Sequence, residues 1–319
     1  PWQRDKERNS HLPEAEAMAL GKKSYLIDLI YGFDLLHIDP TKDPYVVGKV
    51  IDMDVNIRRT VELIEYVEKE RAARGLPDIS YEVGTEETNG GLTSSENYEV
   101  FIQRLTAALD EKNLPHPAFI VGNTGTLTRL TENVGHVDST ACKNLSSIAR
   151  RYKVGLKEHN GDYLDDAILL EHPALGVTAM NVAPEFGTVE TQAYLELREV
   201  EERLNGQGLV PTVSKLGKVL REEAVKSGRW KKWMVDGKDQ LQAEEVFRDA
   251  ELTRLITEIS GHYTFNNERV KKEIQVLYDN LAQSGIDGEA YVIYKLQNSL
   301  DHYVECFNLC GLTTRLQIK

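Results

Sequence analysis

Only three cysteines, Cys142, Cys306 and Cys310, occur in 319 residues, too few to hold a fold together by disulfides. A reducing, cytoplasmic setting is therefore expected. Long apolar runs are missing as well: nothing approaches the roughly eighteen residues a membrane helix needs, and no signal-peptide pattern is present. Basic residues are outnumbered, 38 Lys and Arg against 51 Asp and Glu, and a net charge of -13 leaves no face to offset phosphate repulsion. That argues against nucleic acid and for small molecules or other proteins as partners. No Gly-rich fingerprint follows a first strand, so a dinucleotide-binding fold has no support. The C-x3-C pair "CFNLC" has no second pair and only His302 nearby, so helix cysteines are expected there rather than zinc ligands.

What is present is alternation. "PEAEAMALGKKSYLIDLIYG" has apolar residues at helical spacing behind Pro13, and "FDLLHIDP" reads as a buried strand stopped by Pro40. Four more such pairs follow, with strands in "ISYEVGTE", "PAFIVGNTGT", "LKEHNGDYL" and "VTAMNVAPEFGT". Successive αβ units with short, nearly continuous apolar strands imply a parallel sheet covered by helices, because parallel strands need crossovers and bury both faces. Polar residues gather at the carboxyl end of all five strands, which favours an α/β barrel of the TIM type, (β/α)8, over a doubly wound sheet. Five strands are too few for a closed barrel. The expectation is that residues 1–205 supply strands equivalent to four to eight, that three βα units belong ahead of Pro1, and that the exposed edge requires further chain or a partner. Residues 206–319 read as an α-helical C-terminal region, with "GRWKKWM" as an amphipathic helix edge.

The strand ends supply the candidate site: His37 and Asp39, Glu82 and Glu86, Asn123 and Thr124, Glu158, His159, Asn160 and Asp162, and Asn181. Carboxylates and imidazoles converging from separate strands are what a divalent-metal Lewis acid or a proton-transfer pair requires. Each has a plainer alternative. His37 fits a core histidine, Asp39 a turn before Pro40, Glu86 a solvated loop, and Asp162 a helix cap. His159 is the strongest, because a polar run directly after a barrel strand rarely serves packing. The glycine in "NVAPEFGT", before a helix, allows an anion to approach backbone amides.

Several segments, in order and across nearly the whole chain, carry a family resemblance: "HIDP", "SYEVGTEETNGG", "KEHNGDYL", "RWKKWM" and "HYTFNNERVKKEIQVLYDNL". The chain resembles the GatZ/KbaZ-like family, the tagatose-bisphosphate aldolase subunits related in fold to class II aldolases. The resemblance implies a TIM-type barrel with a helical C-terminal region and a sugar or sugar-phosphate ligand. It also implies either an aldolase or epimerase of ketohexose phosphates or a non-catalytic subunit that stabilises a separate aldolase. By matching positions, Asp39, Glu86, His159 and Asp162 line the site. The corresponding chemistry places a divalent ion, expected to be zinc, on His159 and Glu86. Asp39 then moves the proton, and His37, Asn123, Asn160, Asp162 and Asn181 contact substrate. The "HNGD" segment departs from the family's His-Ser-Thr-Asp form, so a different sugar is expected; a catalytic partner subunit or a homo-oligomer is the expected assembly.

Overall fold

Each apolar run becomes a short parallel strand, and the residues between them close into helices at the punctuation the sequence provides. The computed structural model describes residues 11–43, 45, 51–85 and 92–317. Its first elements are α1 (Glu14–Ile30), β1 (Leu35–Ile38), α2 (Met53–Arg74), β2 (Ser80–Val83), α3 (Ser95–Glu111) and β3 (Phe119–Val121). A small antiparallel ribbon, β4 (Thr128–Arg129) and β5 (Glu132–Asn133), precedes α4 (Ser139–Arg151), β6 (Gly155–Glu158), α5 (Asp166–Leu175) and β7 (Val177–Met180). Helices follow: α6 (Pro184–Gly206), α7 (Leu216–Ser227), α8 (Ala243–Val246), α9 (Ala250–Ser260), α10 (Glu268–Ala282), α11 (Gly288–Cys306) and α12 (Leu312–Arg315).

The described residues fall into two units. The first comprises those of Pro1–Leu127, Gly135–Gly161 and Glu171–Asn181; the second comprises Thr128–Val134, Asp162–Leu170 and the described part of Val182–Lys319. Helix α6 thus groups with the C-terminal helices, although the expected boundary at 205/206 set it with the strands. Within the first unit the strands run parallel in the order β1-β2-β3-β6-β7, without the reversal that marks a doubly wound sheet. Among the described residues β1 and β7 pair with one neighbour each, so the sheet has two edges.

Local chemistry explains the helices. Asp52 accepts from the amides of Asp54 and Val55 to start α2, and Gly75, at φ 64°, ends it where a side chain would be strained. Asp138 caps α4 in the same way. One face of the sheet, carrying Leu36, Ile38, Tyr81, Val83, Ile120 and Leu156, packs under α1 to α4 against residues such as Leu63, Ile64, Ile102 and Leu145. Each such side chain contributes about 1.5–3 kcal/mol by leaving water, so truncating fully buried Ile102 to Ala costs about 2–5 kcal/mol. Two buried tyrosines pin helices to strands: Tyr25 donates to the His37 carbonyl at 3.0 Å and Tyr98 to that of Ile120 at 2.9 Å.

In the second unit, α6, α7, α10 and α11 share a core around Leu197, Leu220 and Leu277. The "RWKKW" segment is not a helix edge. α7 stops at Gly228, at φ 64°, and Arg229–Trp233 form a 3-10 turn with Trp230 buried and its Nε1–H donating to the Val225 carbonyl at 2.9 Å. Lys232 lies 4.5 Å above the Trp233 ring. Cys306 is buried in α11 and Cys310 is exposed beyond it. No helix among the described residues is long and apolar enough to cross a membrane.

Candidate active site at the carboxyl edge of the sheet

Parallel register decides which side chains share a face. His37 lies opposite Glu82, Glu82 opposite Phe119, Phe119 opposite Gly155, and Val121 opposite Lys157. Because side chains alternate along a strand, His37, Glu82 and Lys157 stand on the face turned away from the helical core. One further alternation brings Asp39, Gly84, Asn123 and His159 to the strand exits on that same side.

These groups meet. His37 Nδ1 lies 2.7 Å from Glu82 Oε1, and its Nε2 lies 3.7 Å from Asp39 Oδ2. The Lys157 ammonium pairs with that same Glu82 Oε1, and Glu82 and Lys157 are both almost wholly buried. Asp39 Oδ1 accepts from the Thr41 amide at 3.0 Å and from the Thr41 hydroxyl at 2.5 Å. The close approach of Asp39 needs a glycine opposite, since a Cβ on Gly84 would lie 2.5 Å from Asp39 Cγ. The His159 ring sits 5.3 Å from the His37 ring, centroid to centroid, and its buried Nε2 has no hydrogen-bond partner.

Burial and these charges drive the titrations apart. Burial alone would raise Asp39, yet His37 and the two Thr41 donors outweigh it and hold the carboxyl at about 2. Glu82 is likewise held at about 2, burial being overcome by His37 and Lys157. Burial disfavours the charged form of His37, but the carboxylates of Asp39 and Glu82 prevail and raise it. Burial, reinforced by the positive charges of His37 and Lys157, pushes His159 down to about 4. Burial also lowers Lys157, against the pull of Glu82. At neutral pH, one imidazole is therefore biased toward its protonated form and its neighbour is neutral. Oppositely biased neighbours of this kind are an acid and a base in waiting.

The other expected residues are placed as follows. Asn123 lies two residues beyond β3, its backbone held by Thr93, the amide on the hydroxyl at 2.7 Å and the carbonyl by the Thr93 amide at 2.9 Å. Asn160 takes a left-handed turn at φ 56° directly after the strand. Asn181 is exposed, its amide on the Glu158 carbonyl and its carbonyl on the Gly161 amide, both at 3.0 Å. Glu158 points to the helical side and pairs with His172 of α5, both fully shielded from solvent, so it does not belong to the cluster. Asp162 belongs to the second unit and caps α6: its Oδ1 accepts from the amides of Ala183 at 2.8 Å and Glu185 at 2.9 Å. Those are the amides that "NVAPEFGT" was expected to offer an anion, and a carboxylate already holds them. Burial raises Asp162 to about 6 against those two bonds.

Glu86 lies outside the described residues, so the expected zinc pair cannot be assembled from the structure. Among the described residues no three His, Cys, Asp or Glu side chains are placed to hold a metal ion. The unpartnered Nε2 of His159 suits a ligand, yet Glu82 is already taken by two cationic groups. The described donors therefore do not make a metal site on their own. Sequence reading missed Lys157, although its signal was there: it stands two residues before His159 in a strand, hence on the same face.

No protein-family model matches the sequence, and neither does any curated protein. Among solved structures, a probable tagatose 6-phosphate kinase from Sinorhizobium meliloti 1021 superimposes with a TM-score of 0.72 at 18% identity, over 94% of this chain and 80% of that one. The glycerol-bound fructuronate-tagaturonate epimerase UxaE from Cohnella laeviribosi gives 0.53 at 12% identity, over 93% and 67%. The chain shares their fold. Identities this low carry the architecture and leave activity to be argued from the site.

Proposed function

We propose that this chain is a cytoplasmic enzyme of carbohydrate metabolism that moves protons on a ketohexose or its phosphate, in an epimerisation or an aldol cleavage. The observation that carries the reading is the His37–His159 pair, 5.3 Å apart and biased to opposite protonation states by one set of neighbours. The fold likeness to two proteins named for tagatose 6-phosphate and tagaturonate points to the same substrate class. In this reading the five strands are consecutive strands of a (β/α)8 barrel, equivalent to four to eight, and their polar tips face its mouth.

Both reactions pass through an oxyanion next to a carbon or hydroxyl that gives up a proton. His159 Nε2, neutral and without a partner, is the acceptor. An anionic substrate beside it offsets the repulsion from His37 and Lys157 and raises its basicity toward the working range. His37, biased toward its protonated form by Asp39 and Glu82, donates to the developing enediolate or alkoxide oxygen, and Lys157 adds positive charge beside it. Asp39 and Glu82 act through His37, fixing its orientation and charge. Zinc on His159 and Glu86 remains a separate proposal, and metal analysis of dialysed wild-type and His159→Ala protein tests it.

The test of the reaction is incubation of the full chain with fructose 6-phosphate, tagatose 6-phosphate and tagatose 1,6-bisphosphate in D2O, with and without Zn²⁺ or Mn²⁺. Deuterium entering carbon-bound positions, or a new sugar by NMR, and loss of both in His159→Ala, is the expected result. Neither signal in the wild type under any of these conditions overturns the proposal.

A second reading is a non-catalytic subunit of a separate tagatose-bisphosphate aldolase. One observation favours it: Ile30, Tyr31, Phe33 and Leu35 are exposed beside the edge strand β1, an apolar surface that a partner would cover. A class II aldolase whose activity and thermal midpoint are unchanged by this chain would remove that reading.

A further inference from the structure

The second unit contains a cavity of about 570 Å³ framed by α6, α7 and α9, within the range of small-molecule sites. Each helix sends one arginine to its wall: Arg198 from α6, Arg221 from α7 and Arg254 from α9. None is locked in a buried ion pair. Among the described residues, the carboxylate partner of Arg198 and of Arg254 is a glutamate one turn further along its own helix, Glu202 at 3.1 Å and Glu258 at 2.8 Å, and such pairs are weak and readily exchanged. Arg221 donates through Nε to the Gly217 carbonyl at 2.9 Å and has no carboxylate partner among the described residues, so its terminal N–H groups are uncommitted.

Two details show that the wall is shaped around these groups. Gly217 leaves the room that the Arg198 stem occupies, since a Cβ there would lie 2.6 Å from Arg198 Cδ. The Arg198 Nε is buried without a hydrogen-bond partner, a condition that costs stability unless something else binds there. Glu199 also lines the cavity, while neighbouring Glu196 is already engaged by Lys295 at 3.1 Å and by the Tyr291 hydroxyl at 2.6 Å. Three guanidinium groups lining one cavity from three helices suit the oxygens of a phosphate, and an uncommitted carboxylate beside them suits hydroxyl groups.

We propose that this cavity binds a phosphorylated sugar or polyol, with its phosphate held by Arg198, Arg221 and Arg254 and a hydroxyl on Glu199. The site is distinct from the imidazole cluster and does not depend on the reaction assigned there. Among the described residues its wall holds no imidazole and no lysine, which suits a binding site, for an effector or a second substrate moiety, rather than a place for bond chemistry.

Sorbitol 6-phosphate is the probe, because it has the phosphate and hydroxyls but no carbonyl to react. Calorimetry on the full chain should show saturable binding that falls at least tenfold in Arg221→Ala and in Arg254→Gln, both exposed positions that folding tolerates. Glu199→Gln should weaken sorbitol 6-phosphate while leaving inorganic phosphate unchanged, and His159→Ala should bind as the wild type does. Absence of binding, binding retained in both arginine variants, equal affinity for phosphate and sorbitol 6-phosphate, or binding lost in His159→Ala would each overturn the proposal.

Discussion

Glu82→Gln is the sharpest probe of the cluster, because it keeps the shape of the side chain and removes the charge between His37 and Lys157. Its cost follows from linkage. A carboxyl held at about 2 in the folded chain, against an ordinary 4.5, contributes about 3 kcal/mol at pH 7. The sign is that of a depressed acid: the contribution is full above 4.5 and is lost as pH falls toward 2, leaving about 1 kcal/mol at pH 3. An independent route gives a similar figure. Removing one partner of a buried pair leaves the other uncompensated, here the Lys157 ammonium, at about 3–5 kcal/mol. Urea titrations at pH 7 and pH 3 should therefore show a deficit of about 3 kcal/mol for Glu82→Gln that shrinks by about 2 kcal/mol in acid. The double variant Glu82→Met, Lys157→Met should recover most of it, since two well-packed apolar side chains leave no orphaned charge. A Glu82→Gln protein as stable as the wild type at pH 7, or a deficit equal at both pH values, would refute the charge balance on which the imidazole assignments rest.

Three further outcomes follow from the same geometry. The rate profile should be bell-shaped, rising as His159 loses its proton and falling as His37 loses its own above 6.5; in Asp39→Asn the alkaline limb moves down, read from kcat against pH. Gly84→Ala should cost about 1–3 kcal/mol by denaturant titration and lower activity, because the new Cβ displaces the Asp39 carboxylate that it would otherwise meet at 2.5 Å. Asp162, raised by burial to about 6 from 3.8, makes the folded state lose about 2 kcal/mol as pH rises from 4 to 7.5; Asp162→Asn keeps an acceptor for the α6 amides and should lose little over that interval.

Much of the fold was legible because it depends on period and punctuation. The apolar strands and the helix behind Pro13 are read directly; the caps at Asp52 and Asp138, which the structure supplies, and the stop at Gly75 are local events of the same kind, decided by residues within one turn of each other. The ribbon β4–β5 was not legible, since two-residue strands carry no period, and neither was the break of α7 at Gly228, where basic and aromatic residues sustain a helical pattern that the glycine ends. Placing α6 depended on which helices cover its apolar face, a tertiary matter that the residues of α6 alone do not decide.

The site was half legible for a stricter reason, visible in the four residues Lys157, Glu158, His159 and Asn160. A polar run after an apolar strand announces a strand exit, but it does not say which face each side chain takes. Register does: Val121 opposite Lys157 puts Lys157 and, by alternation, His159 on the open face, and sends Glu158 to the helical side to meet His172. A slip of one residue would exchange these roles, burying an imidazole and an ammonium among leucines and turning the Glu158 carboxylate outward. The buried Glu158–His172 pair opposes that slip, because moving the strand would leave one partner buried without its hydrogen bond, at about 1–3 kcal/mol. A pair that takes no part in the imidazole cluster thus holds the register on which the cluster depends.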